Sequence, residues 1–165
     1  MRVRALRPDD RPCLERLLRE TQVFTDAEIA IALELIDIYL NVPTQRDYQL
    51  YVAADEHDAA QGYVCFGPTP LTDAMWDLYW IAVAPSHHRQ GIGTILLRFV
   101  EAQVRDAGVA ARRLIIETSS LPRYDPTRRF YQRHGYVELA RIPDFYAIGD
   151  DRIIYAKDFT QAKKT

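Results

Sequence analysis

The residues best placed to do chemistry are His88-Arg89-Gln90-Gly91-Ile92-Gly93-Thr94, where two glycines one residue apart stand at the start of an amphipathic helical pattern. An apolar run, Leu78-Tyr79-Trp80-Ile81-Ala82-Val83, precedes them and Pro85 stops it. Ile92, Ile95, Leu96, Phe99, Val100 and Val104 then recur at helical spacing. The spacing predicts strand, loop and helix start in that order. Unpaired N–H groups at a helix start, with the positive end of the helix dipole, attract an anion. The two glycines remove the Cβ atoms that would hold a pyrophosphate away. A second segment, Tyr124-Asp125-Pro126-Thr127-Arg128-Arg129-Phe130-Tyr131-Gln132-Arg133-His134-Gly135-Tyr136, predicts a short helix. Asp125 serves as N-cap, Pro126 as first helical residue, and Gly135 as the left-handed stop.

The remaining elements must hold these two segments in place. Val3-Arg4-Ala5-Leu6 reads as a first strand, and Asp9 or Asp10 starts a helix through Leu14, Leu17 and Leu18. Asp26 caps a longer helix carrying Ile29, Leu33, Ile36 and Leu40. Residues 48–54 and 62–66 form a hairpin, and Gly67-Pro68-Thr69-Pro70 breaks the sheet before the strand that enters the loop. Leu114-Ile115-Ile116-Glu117 follows the loop helix, and residues 136–141 and 152–157 give two last strands. The order β-α-α-β-β-β-α-β-α-β-β belongs to an α/β or α+β domain.

The two motifs at their mutual distance resemble the GCN5-related N-acetyltransferases, the GNAT superfamily. Its coenzyme A loop reads Gln/Arg-x-x-Gly-x-Gly/Ala, matched here by His88, Gly91 and Gly93. Its aromatic-Tyr-x-x-x-Gly-Phe/Tyr signature is matched by Phe130, Tyr131, Gly135 and Tyr136. His88 stands in place of Gln or Arg, and Arg89 and Gln90 are alternative side chains for a phosphate contact. The resemblance implies a mixed, mostly antiparallel sheet flanked by helices, with a splayed strand pair forming the acyl-CoA cleft. It also implies acetyl-CoA as co-substrate, cradled by residues 88–94, with strand backbone at Ile81, Ala82 and Val83 pairing with the pantetheine arm.

Acetyl transfer from a thioester to a primary amine, by direct attack in a ternary complex, needs an uncharged amine and a hydrogen-bond donor for the departing thiolate. An alkyl ammonium has a pKa around 10, so a carboxylate must help remove its proton. Asp77 on the strand into the loop and Glu117 on the next strand are the two candidates, each alternatively a solvated strand-edge acid. Tyr131, by its place before Gly135, is expected to protonate or hydrogen-bond the sulfur; otherwise it packs in the core. Phe24, Trp80 and Tyr146 are candidates for the acceptor pocket, and Asp150-Asp151 either attracts a cationic amine or makes an ordinary hairpin turn. Arg128, Arg129 and Arg133 read as solvated helix charges, one of which touches the coenzyme's phosphates in the alternative reading.

Composition narrows the classes. At 165 residues, 48% hydrophobic and 27% charged, the chain suits one soluble domain over residues 1–160 with a polar tail at 161–165. A formal net charge of −2 gives no whole-molecule attraction for nucleic acid, and no apolar run suits a bilayer. Charged residues near the N-terminus exclude a signal peptide, so a cytoplasmic location is expected. Cys13 and Cys65 form no metal-ligand spacing and read as buried small hydrophobes, and no metal is expected. A Rossmann-type reading fails because Leu96 stands where a third glycine is needed. The acceptor is a small-molecule or peptide amine, a homodimer is admitted, and the rival class is a non-catalytic acyl-CoA sensor or interaction module.

Overall fold

The computed structural model describes residues 1–107 and 113–159, so the expected tail at 161–165 lies outside the described residues. The elements are β1 (Arg2–Ala5), α1 (Arg11–Glu20), α2 (Asp26–Asn41), β2 (Gln49–Ala54), β3 (Ala60–Pro68), β4 (Met75–Val83), α3 (Ile92–Asp106), β5 (Arg113–Ser119), α4 (Asp125–Arg133), β6 (Val137–Ala147) and β7 (Asp150–Asp158). Seven strands form one sheet in the order β1-β2-β3-β4-β5-β7-β6, antiparallel throughout except between β4 and β5. The mixed, mostly antiparallel sheet is the expected one.

Both faces of the central strands are buried, which is why β3 reads Tyr63-Val64-Cys65-Phe66 without alternation. Val64 and Phe66 pack with Leu96, Val100 and Tyr131 on the face covered by α3 and α4. Tyr63 and Cys65 pack with Leu14, Leu18 and Ile36 on the face covered by α1 and α2. Burial pushes the Cys65 thiol up to about 12, which keeps it protonated and unreactive.

Four local expectations are corrected. Thr25, not Asp26, caps α2: its hydroxyl accepts from Glu28 N–H at 3.2 Å while the Glu28 carboxylate accepts from Thr25 N–H at 2.7 Å. Tyr124, not Asp125, is the N-cap of α4. Asp125 is already helical and turns its carboxylate to Arg128. Gly67 and Pro68 do not break the sheet but end β3, paired with Asp77 and Trp76. Strand β4 accordingly begins at Met75, and β6 runs on to Ala147 past two irregularities in its pairing with β7. Pro143 and Asp144 lie within the second of these irregularities.

The central feature for function is where β4 and β5 part. Their parallel pairing runs from Met75↔Arg113 to Leu78↔Ile116 and stops, although β4 continues to Val83 and β5 to Ser119. A bulge causes the turn-away: on β3, Phe66 faces Leu78 and Cys65 faces Trp80, leaving Tyr79 as an extra residue. Tyr79 and Trp80 therefore both pack towards α1 and α2, while Leu78 and Ile81 pack towards α3. A splayed pair results, as the resemblance implies.

Candidate active site

The loop after β4 is shaped by its backbone. A tight turn at Pro85–His87 folds it back, with His87 N–H on the Ala84 carbonyl at 2.8 Å. Arg89 and Gly91 both take left-handed conformations, φ 62° and 81°. Gly91 is the N-cap of α3, and no side chain caps the helix. Its bonding starts with Ile95 N–H on the Gly91 carbonyl at 3.0 Å, so the N–H groups of Ile92, Gly93 and Thr94 have no helical partner. A Cβ at Gly91 would meet no atom within 4 Å, so the space in front of these groups is open. Open donors, helix dipole and missing Cβ together fit a pyrophosphate.

The loop side chains hold the loop itself. The His88 ring donates through Nε2 to the Val83 carbonyl at 3.0 Å, and Gln90 donates to the Ser86 carbonyl at 3.4 Å. His88 thus fastens the cradle to the end of β4. The Thr94 hydroxyl bonds His134 Nε2 at 3.1 Å, and His134 Nδ1 donates to the Phe130 carbonyl at 2.8 Å. This joins the first turn of α3 to the last turn of α4. A Cβ at Gly93 would lie 3.5 Å from the Phe130 ring, so the two helices also meet closely there.

Tyr131 lies on the buried side of α4, 4% exposed, among Phe130, Tyr136 and Tyr155 with ring centroids 5.5, 5.9 and 6.3 Å away. Burial alone pushes its phenol well above the ordinary value, so the hydroxyl stays protonated at any working pH. Arg128, expected as a solvated helix charge, is instead largely buried. It donates to the carbonyls of Ser119 at 2.5 Å and Leu121 at 3.1 Å and pairs with Asp125, fixing the end of β5 relative to α4.

The two carboxylate candidates occupy the opposite face. Asp77 is half-buried on β4, level with Ile115 on β5; Trp76 and Leu78 on either side of it pack towards α3, so Asp77 turns to the α1–α2 side with Tyr79. Burial raises its pKa, while the Thr69 hydroxyl and the Arg152 guanidinium pull it back. Glu117 lies on the same face two residues further along β5, but it is paired with Arg152, whose guanidinium sits 4.7 Å over the Phe145 ring. Phe24 and Trp80 touch at 5.7 Å between ring centroids. Tyr146 stands on β6, half-exposed and edge-on to Phe145 at 5.0 Å. The turn at Gly149 is the hairpin expected there, with Asp150 buried against Ser119 Oγ at 2.5 Å and Asp151 paired with Arg141.

One pair on this face was missed in the sequence. Tyr124 OH donates to Glu28 Oε1 at 3.3 Å, joining the start of α2 to the turn before α4 across 96 residues. Burial and Glu28 push the Tyr124 phenol up to about 12, and burial, with smaller help from Asp150 and Glu28, raises Tyr146. The available signal, Thr25-x-x-Glu28, reads only as a local helix start. A separate groove of about 540 Å³ lies between the end of α2 and β2, lined by residues such as Tyr39, Pro43, Arg46 and Tyr51. None of the buried polar atoms without a partner belongs to its lining.

Comparison with known proteins agrees with this geometry. The profile described as "Acetyltransferase (GNAT) domain" matches residues 46–138. A crystal structure from Desulfovibrio desulfuricans, assigned to the GNAT family, is 40% identical over 95% of this chain and 98% of that one, with TM-score 0.89. Two further structures share the fold. The ribosomal-protein-S18-alanine N-acetyltransferase from Escherichia coli is 19% identical over 99% of this chain and 97% of that one, TM-score 0.75. An aminoglycoside 6'-N-acetyltransferase solved with coenzyme A is 20% identical over 96% and 97%, TM-score 0.73. Among curated proteins none matches.

Proposed function

This chain belongs to the GNAT acetyltransferase family, and on that premise we propose that it moves the acetyl group of acetyl-CoA onto a primary amine by direct attack in a ternary complex. The observation that carries the reading is the end of β4–β5 pairing at Leu78↔Ile116, with the open cradle beyond β4 and Tyr131 on the α3–α4 face. The pyrophosphate sits on the N–H groups of residues 92–94, and the pantetheine arm runs along the edge of β4 at Ile81, Ala82 and Val83, where β5 no longer pairs with it although β3 still does. The acceptor approaches from the α1–α2 face, where Asp77, Trp80 and Phe24 lie.

Asp77 takes a proton from the ammonium, directly or through water. Burial raises its basicity, as that task requires. The amine nitrogen then attacks the acetyl carbon and the C–N bond forms; collapse of the tetrahedral species breaks the C–S bond, and the extra proton on nitrogen passes through water to the departing thiolate, giving the amide and the free thiol. Tyr131 donates a hydrogen bond to the thiolate. Its raised pKa makes complete proton transfer from the phenol uphill against an ordinary thiol near 8.5, so it acts by stabilising charge and keeps its proton. Glu117, held by Arg152, maintains the shape of the wall.

The acceptor is an amine of a small molecule or a peptide. Structural neighbours include enzymes named for an aminoglycoside and for a ribosomal-protein alanine, which span both classes. The test pairs acetyl-CoA calorimetry with a thiol-release screen over mixed amines and peptide N-termini. Acetyl-CoA binding with amine-dependent thiol release is the expected result. Binding without release across the panel would instead make the protein an acyl-CoA sensor.

A further inference from the structure

Thr118 has a hydroxyl that the folded chain leaves unused. The residue is 6% exposed, and its Oγ1 has no hydrogen-bond partner among the described residues. It sits on β5 two residues beyond Ile116, the last residue paired with β4, so it borders the gap. Leu114 and Ile116, which share its strand face, pack in the cluster that contains Tyr131, and its cross-strand neighbour Ile153 packs there too. The hydroxyl therefore belongs to the α3–α4 side, opposite to the face of Asp77 and Trp80.

A strand position of this kind suits valine, which has the same branched shape and no polar group to desolvate. Threonine there, buried and unpaired, costs stability unless something absent from the folded chain completes it. Resting on the acetyl-CoA reading above, we propose that the Thr118 hydroxyl hydrogen-bonds the acyl-bearing pantetheine arm. The arm carries amide and thioester groups that a hydroxyl can serve as donor or acceptor. Its place on Tyr131's side of the sheet assigns it to the coenzyme and not to the amine.

Calorimetry of the full chain with two probes tests this: acetyl-CoA, and 3′-phosphoadenosine 5′-diphosphate, which has the pyrophosphate but no arm. Thr118→Val should weaken acetyl-CoA binding about tenfold and leave the nucleotide unchanged, while Thr118→Ser keeps both. The melting temperature of the ligand-free Val variant should equal or exceed that of the wild type, which separates lost contact from lost fold. Acetyl-CoA binding within twofold of wild type in Thr118→Val would overturn the proposal, as would an equal loss for both probes. Failure of the wild-type protein to bind acetyl-CoA is a different result, read on the wild type alone, and it would overturn the function itself.

Discussion

On the α3–α4 face the proposed site is made of backbone and two hydroxyl-bearing side chains: open N–H groups at Ile92–Thr94, a left-handed Gly91, and Tyr131 with Thr118. On the α1–α2 face it is made of charged and aromatic side chains from α2, β4, β5, β6 and β7, already paired with each other through Glu28–Tyr124 and Glu117–Arg152. Backbone donors recognise a pyrophosphate whatever side chains surround them, so on the proposed reading the first face is committed to one ligand. The second face can be rewritten one side chain at a time without disturbing the ladder. A division of this kind lets one coenzyme site serve many acceptors.

The comparison is tested hardest at Tyr131, the side chain of the coenzyme face proposed to act on the departing sulfur. Tyr131→Phe keeps the ring contacts with Phe130, Tyr136 and Tyr155 and removes the hydroxyl proposed to hydrogen-bond the sulfur as the C–S bond breaks. The expected loss is about 10²-fold in kcat with acetyl-CoA affinity nearly unchanged, read by steady-state kinetics beside calorimetry. Because burial raises the phenol's pKa, wild-type activity should show no alkaline decline from this group near pH 10, where an ordinary tyrosine would ionise. A near-wild-type kcat in a variant whose chemical step limits the rate would assign Tyr131 to packing alone.

Gly91 probes the backbone half of the same face. Gly91→Val forces a branched residue to φ 81° and puts a side chain where the phosphates would lie. Acetyl-CoA affinity should fall by about 30-fold, estimated from one to two lost charge-assisted bonds. The bulk of the fold should persist, since the added Cβ meets nothing within 4 Å. Unchanged affinity would move the phosphate site elsewhere and dissolve the contrast between the faces.

These two residues were readable because their causes are local. Gly-x-Gly at a helix start, and Tyr131 four residues before a helix-ending Gly135, are set by neighbours in sequence. The bulge at Tyr79 was not readable, since it exists only in the register of β4 against β3. Neither was the Glu28–Tyr124 bond, whose partners are 96 residues apart, nor the pairing of Glu117 with Arg152 across the β5–β7 ladder. Thr25 takes the cap of α2 in place of Asp26 because Glu28 returns a bond to it, a reciprocal Thr-x-x-Glu pattern that the sequence contains. The legible half of the site is thus the half built by the chain's local conformation.

The smallest expected effects separate the two carboxylates of the acceptor face. Asp77→Asn keeps the shape and removes the proposed base, so kcat/KM should fall about tenfold near neutrality, below the usual range of general-base effects because the group acts through water. That deficit should shrink as pH rises towards the amine's own pKa, where the acceptor no longer needs a base. In the wild type, burial raises Asp77's pKa, so the acid limb of the profile should fall at a higher pH than an ordinary carboxylate near 3.9 would give. Glu117→Gln should change kcat/KM by no more than about threefold and leave the profile in place, because an exposed partner of Arg152 is worth little to the site. If the pH profile moves with Glu117 and not with Asp77, the base lies on β5, and the ion pair with Arg152 must open during turnover.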